Sequence, residues 1–330
     1  MSALLQSTAQ GPGRTCPLSY RYGAQSLARP PDLEAETLYV AGGLYGNPFA
    51  LDALLLMVER EPGARLVFNG DFNWFDADDA SFERINRVVL AHHALRGNVE
   101  TELLAEDGAA GCGCGYPDYV SDADVARSNA IMDVLAATAR RHPQLAARLA
   151  VLPMTLVVRI GGVRIGVVHG DGDSLAGWGF GEEAIDTSRV ASMFERADVR
   201  VFASSHTCLP VAQVFATASG PCALINSGSA GMPNFAGSTF GVVTRIASRP
   251  LSTVAGALYG NVIDGVHVDA LPLHFDQGAW LRHFDRVWPA ASPAAISYRM
   301  RIINGPSYAL PQAMRAGIKC GAGGAEASMD

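Results

Sequence analysis

No stretch of the sequence approaches the ~18 consecutive apolar residues that a membrane span needs. The opening MSALLQSTAQGPGRTC also lacks a basic segment followed by a sustained apolar run. Neither a membrane anchor nor a secretory leader is expected, and the chain reads as a cytoplasmic protein. Cysteine is scarce, six in 330 residues (Cys16, Cys112, Cys114, Cys208, Cys222 and Cys320). That excludes a disulfide framework, and in a reducing compartment the thiols are expected to stay reduced. Charge is sparse too. Only 17% of residues are charged, 25 basic against 32 acidic for a net charge of -7, and the basic ones are scattered, so the electrostatic footprint of a nucleic-acid binder is missing. An acidic chain gives no general help in recruiting an anionic substrate either. What the sequence does have is apolar residues, 49% of the chain, enough to bury a large core and to exclude disorder for most of its length.

Residues 1–36 are rich in Gly, Pro, Ser and Gln and close on Pro30 and Pro31, as in a loosely held N-terminal extension. TLYVAGG then predicts a strand, and PFALDALLLMVER a helix with proline in its first turn. RLVFNGD repeats the strand and ends at Asp71. Residues 81–95 place Phe82, Ile85, Val88, Val89 and Leu95 on one helical stripe, which puts His92 and His93 on a helix, before the loop RGN. This alternation predicts an α/β layered fold. GAAGCGCGYPDYV opens an insertion that turns helical over 122–149. MTLVVRI, a Gly-Gly turn and VRIGVVHGD predict a hairpin, followed by a helix over 182–196 and strands in VRVFAS, LINSGS, FGVVTRI and GVHVDALPL. The residues after Asp276 read as an appendage that ends in a flexible tail, GAGGAEASMD.

Four polar side chains share one setting. Asp71 in NGD, Asn98 in RGN, His169 in VVHGD and His206 in SSHT each follow an apolar strand and open a loop. Loops at the carboxyl ends of strands gather on one rim of an α/β sheet, so the four can converge. Two imidazoles, a carboxylate and a carboxamide suit a divalent transition metal such as Mn, Fe or Zn. The alternative is that Asp71 and Asn98 serve turn geometry and the histidines pack as ordinary residues. Asp171, two residues past His169, shapes its own loop or orients His169 from behind. Cys112 and Cys114 are too close to form both arms of a common zinc site. Their segment is either a flexible loop or a cap that brings thiols over the metal rim.

The order and context of these segments resemble the calcineurin-like metallophosphoesterase family, whose pattern runs DxH, GD, GNH, a later strand ending in H, and GHxH. The corresponding segments here are AGGLYGNPFAL, FNGDFNWFD, LRGNVE, VVHGD and SSHTCLP, with INSGSAG resembling the loop that follows. The resemblance spans roughly residues 37–275. It implies a two-sheet β-sandwich flanked by helices, carrying a helical insertion at about 106–152 and an appendage over 276–330. It also implies a two-metal centre. In that centre the second metal takes the residues matched by Asp71, Asn98, His169 and His206, all retained. The first metal takes positions where Gly43, Tyr45 and Cys208 stand here, and Val99 replaces the histidine of GNH.

Glycine offers no ligand, so the first position cannot be rebuilt as the family has it. Tyr45 and Cys208 are the remaining candidate donors, since a metal can deprotonate a phenol or a thiol. Otherwise the Tyr45 ring fills the vacated space and Cys208 is a small buried residue. The resemblance therefore implies a hydrolase of a small phosphorylated molecule with about one metal per chain. Two alternatives stand beside it: an inactive member kept as a binding module, and a metal enzyme of non-hydrolytic chemistry using Tyr45 and Cys208.

Overall fold

The structure, a computed structural model, describes residues 11–105, 108–251 and 256–321. Beyond Gly321 the predicted C-terminal tail lies outside the described residues. In chain order the first half contains β1 (Leu33–Glu34), β2 (Thr37–Ala41), α1 (Pro48–Glu59), β3 (Arg65–Asn69), α2 (Asp79–Val89), β4 (His93–Leu95), α3 (Asn98–Glu102), α4 (Asp122–Arg141) and α5 (Pro143–Ala150). The central strands and helix are β5 (Thr155–Ile160), β6 (Val163–Val168), α6 (Thr187–Ala197), β7 (Val201–Ser204), β8 (Val211–Thr217), β9 (Gly220–Asn226) and β10 (Gly241–Ala247). The chain closes with β11 (Tyr259–Ile263), β12 (Val266–Leu273), α7 (Gln277–Val287), α8 (Pro293–Asn304), α9 (Leu310–Ala313) and β13 (Lys319–Cys320).

Two sheets result, in the orders β1-β5-β6-β7-β9-β8 and β13-β11-β12-β10-β2-β3-β4. They stack face to face, with helices outside, as the α/β sandwich expectation has it. The alternation of side chains along each strand makes the layers. In β2, Leu38 and Val40 enter the apolar layer between the sheets with Val67, Leu95, Ile165 and Val201. Tyr39 and Ala41 face the other way, into a layer shared with α1, α2 and α4. Phe194 of α6 covers the outer face of the sheet that holds β7 and β9, against Phe202 and Leu224. Because both faces of β2 are buried, its sequence is a continuous apolar run rather than an alternating one.

The predicted β5–β6 hairpin is present and antiparallel, turning at Gly161 and Gly162. Helix α1 begins as its sequence suggests, with the Asn47 side chain accepting from Phe49 N and Ala50 N at 3.0 Å and Pro48 in the first turn. Three expectations need correction. The stripe over 81–95 is not one helix: α2 stops at Val89, and His93–Leu95 pairs in parallel with β3, so His93 opens a strand. Leu95 satisfied the helical period, but it serves the sheet core instead. The helical insertion is broken at His142, where Pro143 starts α5, because proline cannot continue the hydrogen-bond ladder.

The third correction concerns the terminal segments. The N-terminal extension is not loosely held where it is described. Tyr20, Ala24 and Leu27 are buried, and Leu33–Glu34 adds a parallel strand to β5. After Asp276, Trp280, Phe284, Trp288 and Ile302 enter the helix-side core layer with α1 and α4. Such a segment should behave energetically as core. Phe284→Ala is expected to cost about 3–5 kcal/mol, the usual loss for emptying a buried phenylalanine, measured by urea unfolding. A loss below about 1 kcal/mol, the range of surface changes, would mean that the segment is separable.

Candidate metal centre

Strands β2, β3 and β4 run parallel, as do β6 and β7, and each ends at the same rim. Asp71 follows β3, Asn98 opens α3 just past β4, and His169 and His206 follow β6 and β7. The rim brings all four together, and all four are buried. Around His169 Nε2 stand Asp71 Oδ2, Asn98 Oδ1 and His206 Nδ1, each at 3.2 Å. Donor atoms of Asp71, His169 and His206 lie within 4.8 Å of one another. Bonds of about 2.1 Å to a shared ion, at roughly 100° to each other, would separate their donor atoms by about 3.2 Å.

Backbone carbonyls decide which way these side chains present their lone pairs. His169 Nδ1 lies 2.8 Å from Asn69 O, and a carbonyl only accepts, so Nδ1 carries a hydrogen and Nε2 faces inward. His206 Nε2 donates to Cys114 O at 3.0 Å, which turns Nδ1 inward. The Asn98 amide nitrogen donates to Cys112 O at 2.9 Å, which turns Oδ1 inward. With Asp71, four acceptors converge on one point. A proton on His169 Nε2 could serve only one of its three neighbours, whereas a cation accepts lone pairs from all four. Burial and the neighbouring His169 push His206 down to about 3, so it is a neutral donor at physiological pH. Burial alone would raise Asp71, but the adjacent His169 holds its carboxyl below the ordinary range. The donor set therefore fits a divalent transition metal.

The loops are held by contacts that sequence reading missed. Glu100 is fully buried and accepts from Asp71 N, Gly97 N and Asn73 N at 2.8, 2.9 and 3.2 Å, joining the Asp71 and Asn98 loops. Val99, standing in for a histidine, keeps its side chain in the core, and its N–H donates to Asp71 Oδ1 at 3.1 Å. The backbone approach is too close for side chains. A Cβ on Gly70, whose φ is +76°, would run into Gly97 and His169, and one on Gly97 would overlap the Asp71 carboxylate. Asp71, Tyr45 and Cys208 themselves hold left-handed backbone, with φ of 52°, 57° and 61°, an uncommon conformation that gathers at functional loops.

Tyr45 and Cys208 partner each other, with the phenol oxygen 2.7 Å from Sγ. The tyrosine ring lies over Gly43, where a side chain would sit. Burial pushes both groups up, so phenol and thiol keep their protons. Arg301 of α8 donates to Cys208 O at 2.6 Å, and its Nε is buried without a hydrogen-bond partner. Asp171 does not serve His169, whose two nitrogens are already engaged. Its carboxylate takes the N–H groups of Asp173, Ser174 and Gly179 and so closes its own loop. Cys112 and Cys114 are joined as a disulfide, which corrects the expectation of six reduced thiols and of a flexible loop. Trp178, Tyr116 and Tyr298 wall the site, leaving a cavity of about 40 Å³ beside Asp71, Asn98 and His206. Trp178 Nε1 shares Cys114 O with His206.

No protein-family model and no curated protein matches the sequence. Solved structures do match the fold. A metallophosphoesterase from Sphaerobacter thermophilus superposes with a TM-score of 0.52 at 16% identity, covering 82% of this chain and all of its own. A hypothetical protein from Pyrococcus horikoshii OT3 reaches a TM-score of 0.54 at 16% identity, covering 82% of this chain and 99% of its own. The chain has the calcineurin-like metallophosphoesterase fold, with a buried Asp-His-His group able to bind a metal.

Glu100 carries a testable signature. Burial, reinforced by the Asp71 carboxylate, raises it from 4.5 to about 7 despite its N–H partners. The folded state then keeps a proton that the unfolded chain has released, so stability of the metal-free protein should fall as pH rises from about 4.5 to about 7. Glu100→Gln should flatten that slope in denaturant titrations across the same range. A variant that retained the full slope would assign it elsewhere.

Proposed function

We propose that this protein hydrolyses a small phosphorylated molecule, using about one Mn, Fe or Zn ion per chain held by Asp71, Asn98, His169 and His206. The observation that carries the reading is the convergence of four lone pairs, three of them aimed by backbone carbonyls. A cation bound there would supply Lewis acidity toward a phosphoryl oxygen and lower the pKa of a water molecule.

The chain's own residues set the limits of the chemistry. On the side where the family resemblance implies a first metal, the positive charge comes from Arg301, whose unpartnered Nε gives an anion a donor. Val99 cannot protonate a leaving group. The phenols of Tyr116 and Tyr298, pushed up by burial, donate hydrogen bonds rather than protons. Trp178 also borders a cleft of about 620 Å³ that includes Arg21, Arg189 and Arg196, with room for the body of a substrate. The roughly 40 Å³ beside the ligands admits little more than a water molecule, so an ester must displace part of the aromatic wall. That closure favours the second reading, an inactive member kept as a binding module.

Elemental analysis after repletion with Mn, Fe or Zn is expected to give about one ion per chain. Two would mean that Tyr45 and Cys208 complete a second site, and none would favour the metal-free binding module. With metal bound, aryl phosphates should be cleaved far faster than alkyl phosphates. Asp71→Ala and His169→Ala should lose at least ~10³-fold in kcat/KM, roughly 4 kcal/mol of transition-state stabilisation, while Cys208→Ala stays within about tenfold of wild type. Turnover surviving Asp71→Ala would contradict the site. No turnover of any ester with metal bound would exclude the hydrolase and favour the metal enzyme of non-hydrolytic chemistry.

A further inference from the structure

The turn over residues 111–115, GCGCG, is locked at every second position. Gly111, Gly113 and Gly115 hold left-handed backbone, with φ of 61°, 65° and 58°. Between them Cys112 and Cys114 are buried and bridged. The Cys112 N–H donates to Asn129 Oδ1 at 2.9 Å, which ties the turn to α4.

This turn touches the metal centre three times. Cys112 O fixes the Asn98 amide, Cys114 O fixes the His206 imidazole, and Cys114 Sγ stands 3.5 Å from Asn98 Nδ2 in the wall of the cavity. A disulfide sulfur is a poor metal ligand, whereas a thiolate is a strong and soft one. The oxidation state of this pair therefore decides whether the cavity wall beside the ligands carries a disulfide or a free thiol.

We propose that the Cys112–Cys114 disulfide is a redox switch on the metal centre, and that reducing it gives the cation a thiolate ligand at Cys114. The inference rests on the four-ligand site proposed above. A small dithiol supplies the two electrons and two protons that break the S–S bond, leaves two protein thiols and is itself oxidised to a disulfide. Binding of the cation to Cys114 Sγ then releases that thiol's proton to solvent. The softer ligand set favours zinc over manganese, so the switch changes which metal the protein keeps.

Cobalt(II) is the probe, because thiolate coordination gives it an intense charge-transfer absorption in the near ultraviolet. The full-length protein is loaded with cobalt with and without a dithiol, and zinc affinity is measured by chelator competition in both states. The expected result is a charge-transfer band in the reduced protein only, with zinc bound at least ~10-fold more tightly, about 1.4 kcal/mol. Cys112→Ser, which cannot form the bridge, should show the band without reductant. Cys114→Ser should never show it, and Cys208→Ser should behave as wild type. A band that survives Cys114→Ser and disappears in Cys208→Ser overturns the assignment. Cobalt bound equally in both states without a band overturns the switch and leaves the four-ligand site standing. Cobalt bound in neither state removes the four-ligand site, and the switch with it.

Discussion

The two sheets meet at Asn69. Its side chain, at the end of β3 in one sheet, donates to Val168 O at the end of β6 in the other, at 2.8 Å. Its carbonyl accepts from His169 Nδ1 and from the Ser205 hydroxyl, at 2.8 and 3.0 Å. One residue thus joins the strand ends that deliver Asp71, His169 and His206, and it also sets the tautomer of the central histidine. All of this is buried, where an unmet donor or acceptor would cost about 1–3 kcal/mol, so the register of one sheet against the other cannot drift without breaking the site. The glycines at 70 and 97 follow from the same constraint, because loops this closely packed leave no volume for a Cβ.

The two sides of the centre are built to different rules. On the Asn98–His206 side, carbonyls of a clamped turn aim side-chain lone pairs at one point. On the Tyr45–Cys208 side, a phenol and a thiol satisfy each other, and a guanidinium from a distant helix lies alongside. The first arrangement asks for a cation. The second already contains one in covalent form, and a fixed guanidinium needs neither loading nor exchange. An arginine also presents its donors in a fixed planar fork.

Much of this was legible in the sequence, for physical reasons. Strands ending in NGD, RGN, VVHGD and SSHT advertise themselves because apolar runs closed by glycine or a polar residue read the same in any sheet, and a common rim follows from parallel topology. The helix over 81–95 failed because Leu95 fits the helical period and the strand equally, and pairing with β3 decides between them. The terminal segments misled because Gly- and Pro-rich composition describes backbone freedom, not docking. Tyr20 and Leu27 are buried by partners more than 70 residues away in the chain. Glu100 and Arg301 were invisible for the same reason. Nothing local to RGNVE or SYRMRI says that a carboxylate will collect three backbone N–H groups, or that a guanidinium will cross to a loop 93 residues earlier.

That last separation has a consequence for how the protein is made. Arg301 and Tyr298 emerge from the ribosome long after the four metal ligands, and at about 5–20 residues per second the 93 residues that follow Cys208 take roughly 5–20 s to synthesise. During that interval the nascent chain holds its donor residues without the helix that closes them off. The order of synthesis thus makes α8 a late element, added to the wall after the strands that carry the four donor residues.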